Sequence, residues 1–269
     1  MKPAVRPARF AGSWYPGDPV ALRSALAEAA PAGAAPARAL AVIAPHAGYR
    51  YSLPIAAAAY AQVEVPDVAV VLCPNHTVPP PIVSIWSAGA WETPLGPVEV
   101  EAGLAAAIAR GFPAAVEETR AHLREHAIEL QLPLLQARNP GVRIVPVVVA
   151  DPRPEALRGL GEAIAAAVAG RRDVLLVAST DMTHHEPAGV AEAQDRRALA
   201  RVEALDPRGL LEVCEREGIT MCGVRPTAAV LWAALALGAT RAELVRYGHS
   251  GQVSGDDASV VGYAGLVVR

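Results

Sequence analysis

Three short apolar runs each lead, within a few residues, to a histidine. ALAVIAP (39–45) runs into His46, VAVVLCPN (68–75) into His76, and VLLVASTDMT (174–183) into His184. Runs this short, apolar throughout and rich in Val, Leu and Ile, read as strands buried on both faces of a parallel sheet. In open α/β sheets, ligands bind in the crevice beyond the carboxyl ends of such strands. Imidazoles at three strand ends are therefore candidates for one pocket, although nothing local to each requires that they meet.

The remaining pattern alternates helices with strands. Asp18 as N-cap with Pro19 behind it opens a helix to about Ala30. An alanine-rich helix is expected at 54–62, and IVSIW (82–86) reads as a strand after the irregular Pro79-Pro80-Pro81. TPLGPVEV (93–100) reads as a turn into a helix at 101–110, and a second helix is expected at 125–138 despite Pro133. Strand 143–149 carries Pro146, which hints at an edge or bulged position. A helix at 154–169, a strand at 173–178, helices at 188–204, 207–217 and 226–237, and strands near 242–247 and 258–268 complete the chain. This alternation predicts a three-layer α/β/α fold around a mostly parallel central sheet, with residues 1–269 as one domain.

Composition narrows the function classes. With 269 residues and 52% apolar content, folding should bury roughly three quarters of the unfolded surface. A net charge of −3 gives no nucleic-acid footprint and no polybasic membrane patch. Cys73, Cys214 and Cys222 are odd in number and lack CxxC spacing, which argues against a disulfide framework. The proline-broken N-terminus lacks the apolar core of a signal peptide. The longest apolar stretch, about Pro226 to Ala239, is shorter than the ~20 residues that span a bilayer. The expectation is a soluble protein of the reducing cytoplasm.

Each candidate residue has a plain alternative. His46 in APHAGYRYS and His76 in CPNHTVPP are either pocket residues or hydrogen-bonded loop residues. Asp181, three residues before His184, can accept an imidazole N–H and fix its tautomer, or simply cap the next helix. His185 reads as solvated. Cys222 precedes a helix expected to begin at Pro226, where the dipole and Arg225 would stabilise a thiolate; otherwise it is a small buried residue, the reading applied to Cys73 and Cys214. His126 and Glu129 stand at i, i+3 on one predicted helical face, as partners behind a site or as a solvated pair. The chain has no GxGxxG, P-loop, GxSxG or HExxH motif, which removes support for nucleotide cofactors and serine-hydrolase chemistry.

Six segments together resemble a known family. AGSWYPGD (11–18), PHAGYRYS (45–52), CPNHT (73–77), EHAIELQLP (125–133), STDMTH (179–184) and MCGVRPT (221–227) are similar in order and wording to the Memo family, mediator of cell motility. Its prokaryotic members carry the label AmmeMemoRadiSam system protein B. The resemblance spans essentially the whole chain and implies a class III extradiol dioxygenase-like fold. It implies metal ligands at His46, His76 and Cys222, with Asp181 and His184 in the same pocket and His184 as an acid–base group. Trp14 and Tyr51 match aromatic residues near the family's cleft, where His126 is also placed. Gln131 stands where eukaryotic members have a second histidine, so any role of that histidine does not transfer.

Two imidazoles and one anion on a face of iron(II) leave positions for a substrate and dioxygen. A thiolate in place of the dioxygenases' glutamate raises affinity for copper and zinc and makes the site oxidisable. The resemblance thus implies an iron-dependent, dioxygenase-like redox protein acting on an unidentified small molecule or peptide. A non-catalytic module working with radical-SAM and AMMECR-type protein partners is the second reading, since fold does not fix function. A zinc hydrolase is the third.

Overall fold

The computed structural model describes residues 4–31, 33, 35–77 and 83–269. Pro79-Pro80-Pro81 lies outside the described residues. In chain order the strands are β1 (Val5–Arg6), β2 (Ala41–Ala44), β3 (Val68–Cys73), β4 (Val83–Ile85), β5 (Ala90–Trp91), β6 (Val98–Glu99), β7 (Val116–Glu117), β8 (Arg143–Val149), β9 (Val174–Ser179), β10 (His184–Glu186), β11 (Ala242–His249) and β12 (Val260–Val268). The helices are α1 (Pro19–Ala29), α2 (Tyr49–Ala61), α3 (Ala102–Gly111), α4 (Leu132–Arg138), α5 (Pro154–Val168), α6 (Ala188–Glu203), α7 (Pro207–Glu217), α8 (Val224–Ala236) and α9 (Gly251–Ser254).

The main sheet runs β10-β12-β2-β9-β3-β8-β4-β7, with β11 also paired to β12, and β1-β5-β6 form a small separate sheet. Its centre, β2-β9-β3-β8, is parallel; β12 against β2 and β4 against β8 are antiparallel. The parallel strands divide their side chains between two cores with period two. Val68, Val70 and Leu72 of β3 pack with α3, α5, α7 and α8, whereas Ala69, Val71 and Cys73 pack with α1, α2 and α4. This is the expected three-layer arrangement, and it explains why the parallel strands read as unbroken apolar runs.

Three local expectations are corrected. Pro146 lies inside the sheet, between β3 and β4, rather than at an edge or bulge. Its carbonyl accepts from Trp86 N at 3.2 Å, one residue past the end of β4. The donor that proline lacks therefore faces the side on which the partner strand has just ended. Helix α2 starts at Tyr49 rather than 54 and carries Pro54 inside it. Its first turn is fixed from outside, by Tyr49 N donating to Trp14 O (2.8 Å) and Ser52 Oγ to Ala47 O (2.7 Å).

The helix expected at 125–138 begins only with a 3-10 turn at Glu129–Gln131. Arg6, fully buried, takes the Glu125 carbonyl that the first turn of such a helix would need, together with the His122 carbonyl before it. Its Nε donates to His122 O and one Nη to Glu125 O, both at 2.7 Å, while the other Nη pairs with Glu129 at 2.5 Å. This clamp holds residues 122–129 as a loop over the ends of the central strands. Among the described residues, no helix is long and apolar enough to cross a membrane.

Candidate metal centre

His46 follows β2 and His76 follows β3, and β9 separates these two strands, so they are not direct neighbours. Their rings nevertheless meet in front of β9, with centroids 5.3 Å apart. His126, delivered by the Arg6-clamped loop, completes the group, 5.2 Å from the His46 ring and stacked at 4.6 Å on His76. One ligand nitrogen from each of the three rings lies within 4.8 Å of the other two. His126, expected only to line the cleft, thus shares a candidate metal site with His46 and His76. Cys222, the ligand the resemblance implied, stands beside His46, its Sγ 3.3 Å from Nε2.

The hydrogen-bond network sets which nitrogens are bare. Ser179 Oγ donates its one proton to Ala127 O (2.8 Å), so it can only accept from His46 Nδ1 at 2.9 Å. His46 therefore carries its proton on Nδ1 and presents a lone pair at Nε2. Gln131 Nε2 supplies a second donor to Ser179 Oγ (2.8 Å), and Tyr60 OH donates to Gln131 Oε1 (3.0 Å). Glu125 treats His76 similarly. Its carboxylate accepts from His76 Nδ1 (2.9 Å), His76 N (2.7 Å) and Ala127 N (3.0 Å). In the neutral ring, His76 Nε2 is thus also left with its lone pair.

Burial pulls His46 and His126 down to about 3, helped by the charge of neighbouring imidazoles, so both rings are neutral at ordinary pH. Burial would lower His76 too, but the hydrogen bond and charge of Glu125 outweigh it and raise its pKa. Glu125 is pushed up by burial, yet the His76 bond, the His76 and His126 charges and the Ala127 N–H bring it down to about 2. Burial raises the Cys222 thiol, as does the charge of Asp181. The activated thiolate that a helix end and Arg225 were expected to produce is therefore not formed by the protein alone. Arg225 donates instead to Ala150 O.

Asp181 does not orient His184. Its Oδ1 accepts from His46 N (2.8 Å), and burial raises its pKa. His184 sits on β10 at the sheet edge, where its backbone N–H meets Thr220 Oγ1 (2.7 Å) and its Nδ1 donates to Thr220 O (3.1 Å). That bond leaves Nε2 bare. His185 is exposed, with a φ of 62°. Nor do His126 and Glu129 form a pair: Glu129 binds Arg6, Tyr15 OH and the backbone of Phe10, while the carboxylate beside His126 is Glu125, at 3.4 Å.

The rings open on a cleft of about 600 Å³ that Trp14, Tyr51, Asp181 and His184 also line. Trp14 packs on His126 at 4.4 Å between centroids. The sequence reading missed Glu125, Ser179, Thr220 and Arg6. Glu125 had a signal, its place directly before His126. The others act across 36 to 133 residues of chain and left none.

The donors suit a transition metal. Imidazoles whose outer N–H groups are held by a carboxylate and a hydroxyl are the usual arrangement of metal-binding histidines. The lone pair of His46 Nε2 faces a thiol that a cation would deprotonate. Calcium or magnesium, which prefer oxygen, would find few donors here.

The profile of the Memo-like protein family matches residues 6–267. A MEMO1 family protein of Methanothermobacter thermautotrophicus is 44% identical, over 97% of this chain and 99% of its own length. Another from Methanopyrus kandleri is 42% identical, over 96% and 97%. The crystal structure of an uncharacterized protein from Escherichia coli K12 shares the fold, with a TM-score of 0.55, 14% identity, and coverage of 84% of this chain and 99% of that one. The six ordered segments, and with them the three converging histidines, thus fall inside a match that runs nearly end to end: this chain belongs to the Memo-like protein family.

Proposed function

We propose that the protein is a metal-dependent, dioxygenase-like redox protein whose ion, iron(II) in the first instance, is held at His46 and His76. His126 is the third donor of the group, and Cys222, outside that group but beside His46, is a further candidate. The observation that supports this reading is the pair of Nδ1 anchors, Ser179 and Glu125, which turn two bare Nε2 atoms toward one cleft. An iron ion there would supply Lewis acidity and redox chemistry toward dioxygen, which imidazoles alone cannot.

The chain's own residues do the rest. Thr220 holds His184 in the tautomer whose Nε2 can take a proton from a group in the cleft, and later return it. Asp181 accepts from the His46 backbone N–H and so fixes the loop that carries that ring. Trp14 and Tyr51 offer flat apolar surface for a planar substrate.

The test is anaerobic purification, elemental analysis and electron paramagnetic resonance, followed by dioxygen uptake with catechol as probe. Iron near one per chain, with uptake that His184→Ala lowers at unchanged iron content, supports the proposal. Zinc at one per chain with no uptake on iron reconstitution overturns the redox reading and favours hydrolysis.

A further inference from the structure

The cleft over the three histidines has a neighbour. A second cavity of about 430 Å³, lined by Tyr15, Pro16, Tyr49 and Leu53, shares Ser13, Trp14 and Arg50 with it. These three residues form the partition between two adjoining compartments. One compartment faces the imidazoles, and the other is floored by the aromatic and aliphatic side chains of the N-terminal segment and α2.

Arg50, in the first turn of α2, is the only arginine on either wall. Among the described residues its guanidinium has no ion pair or hydrogen-bonded partner, and its one contact is with the Tyr51 ring, 5.5 Å away. The residues outside the description, Met1–Pro3, Ala32, Ala34 and 78–82, include no acid that could neutralise it. The sole carboxylate on either wall is Asp181, already bonded to the His46 backbone. A free guanidinium between the imidazole-lined cleft and a largely apolar chamber is a recognition element for an anion. Trp14, 37% exposed, adds a face on which an apolar body can lie as it passes from one chamber to the other.

We propose that the cleft takes an elongated carboxylate. Arg50 binds its terminal carboxylate at the partition, on the side of the histidines, and the aryl-alkyl body runs past Trp14 into the chamber of Tyr15, Tyr49 and Leu53. This rests on the cleft being the functional site, but not on the metal. The chemical class it selects is an aryl-alkyl acid longer than a single ring with a one-carbon side chain.

The test uses full-length protein in EDTA, so that binding is measured independently of metal. Titration calorimetry compares 6-phenylhexanoate with its neutral analogue 6-phenylhexanol and with the short phenylacetate. The long acid is expected to bind one site per chain, at least tenfold tighter than either comparator, the order expected for one charge-assisted contact. Arg50→Gln should remove about that factor while Arg50→Lys restores part of it, and Trp14→Ala should weaken the long acid more than the short one. Because Arg50 is exposed and unpartnered, its replacement should leave the melting temperature unchanged. Equal affinity of alcohol and acid, or no effect of Arg50→Gln, would overturn the anion role. Equal affinity of long and short acids would remove the second chamber from the site. Loss of metal binding in a separate assay, with acid binding intact, would count against the metal reading alone.

Discussion

Replacing Arg6 with methionine should destabilise the protein by about 3–5 kcal/mol, the usual cost of removing one partner from a buried ion pair. Neither Arg6 nor Glu129 is exposed, and their 2.5 Å contact has no solvent to replace it. Glu129 keeps donors from Tyr15 OH (2.8 Å), Phe10 N (2.8 Å) and Arg9 N (3.2 Å), which limits the loss. Against that, Glu125 O loses its 2.7 Å bond, at about 1–3 kcal/mol for a buried orphan, and His122 O keeps only the 3.3 Å bond from Glu125 N. The stacking of the guanidinium on Trp91, 4.3 Å from its centroid, also goes. At a urea m-value of about 3 kcal/mol/M the midpoint should fall by about 1 M or more. Removing both charges with Arg6→Met/Glu129→Leu should cost less than the sum of the two single changes by at least about 1 kcal/mol. A loss below about 1 kcal/mol in the single variant, or strict additivity in the double, would refute the clamp.

Glu125→Gln keeps the side chain's size but removes the charge that anchors His76, so metal affinity should fall about 10- to 100-fold; equilibrium dialysis measures this, and unchanged affinity would dismiss Glu125 as an anchor. His122, buried between Trp86 and Trp91, is held neutral, with burial taking it down to about 3. The unfolded chain protonates it first, so its contribution is intact above about pH 6.5 and declines as pH falls toward 3, by about 2 kcal/mol at pH 5. His122→Gln should flatten the drop in stability between pH 7 and pH 5 by that amount, and parallel profiles in urea titrations would contradict the assignment. His184→Ala should leave metal content unchanged; a loss as large as that of His46→Ala would make His184 a ligand instead of an acid–base group.

The strands that build the site were readable because both their faces are buried. β3, β8 and β9 fall on or within a residue of the apolar runs that predicted them. The short strands β1, β5, β6 and β7 were not legible, since two residues carry no period, and β10 is polar. His46 and His76 could be picked out because each ends an apolar run. The grouping with His126 could not, because it depends on the 122–129 loop, which Arg6 helps to hold by taking the Glu125 carbonyl that the local sequence would have offered to a helix. Spacing alone paired His126 with Glu129, whereas Glu129 turns back to the N-terminal segment.

The most direct test of the account is metal content after anaerobic reconstitution with iron(II) and gel filtration, in the wild-type chain and in His46→Ala and His76→Ala. The wild type should hold close to one ion per chain and either variant almost none, with each variant folded by circular dichroism. A wild-type chain that retains no metal, or variants that hold it as well as the parent, would contradict the claim that these imidazoles hold an ion.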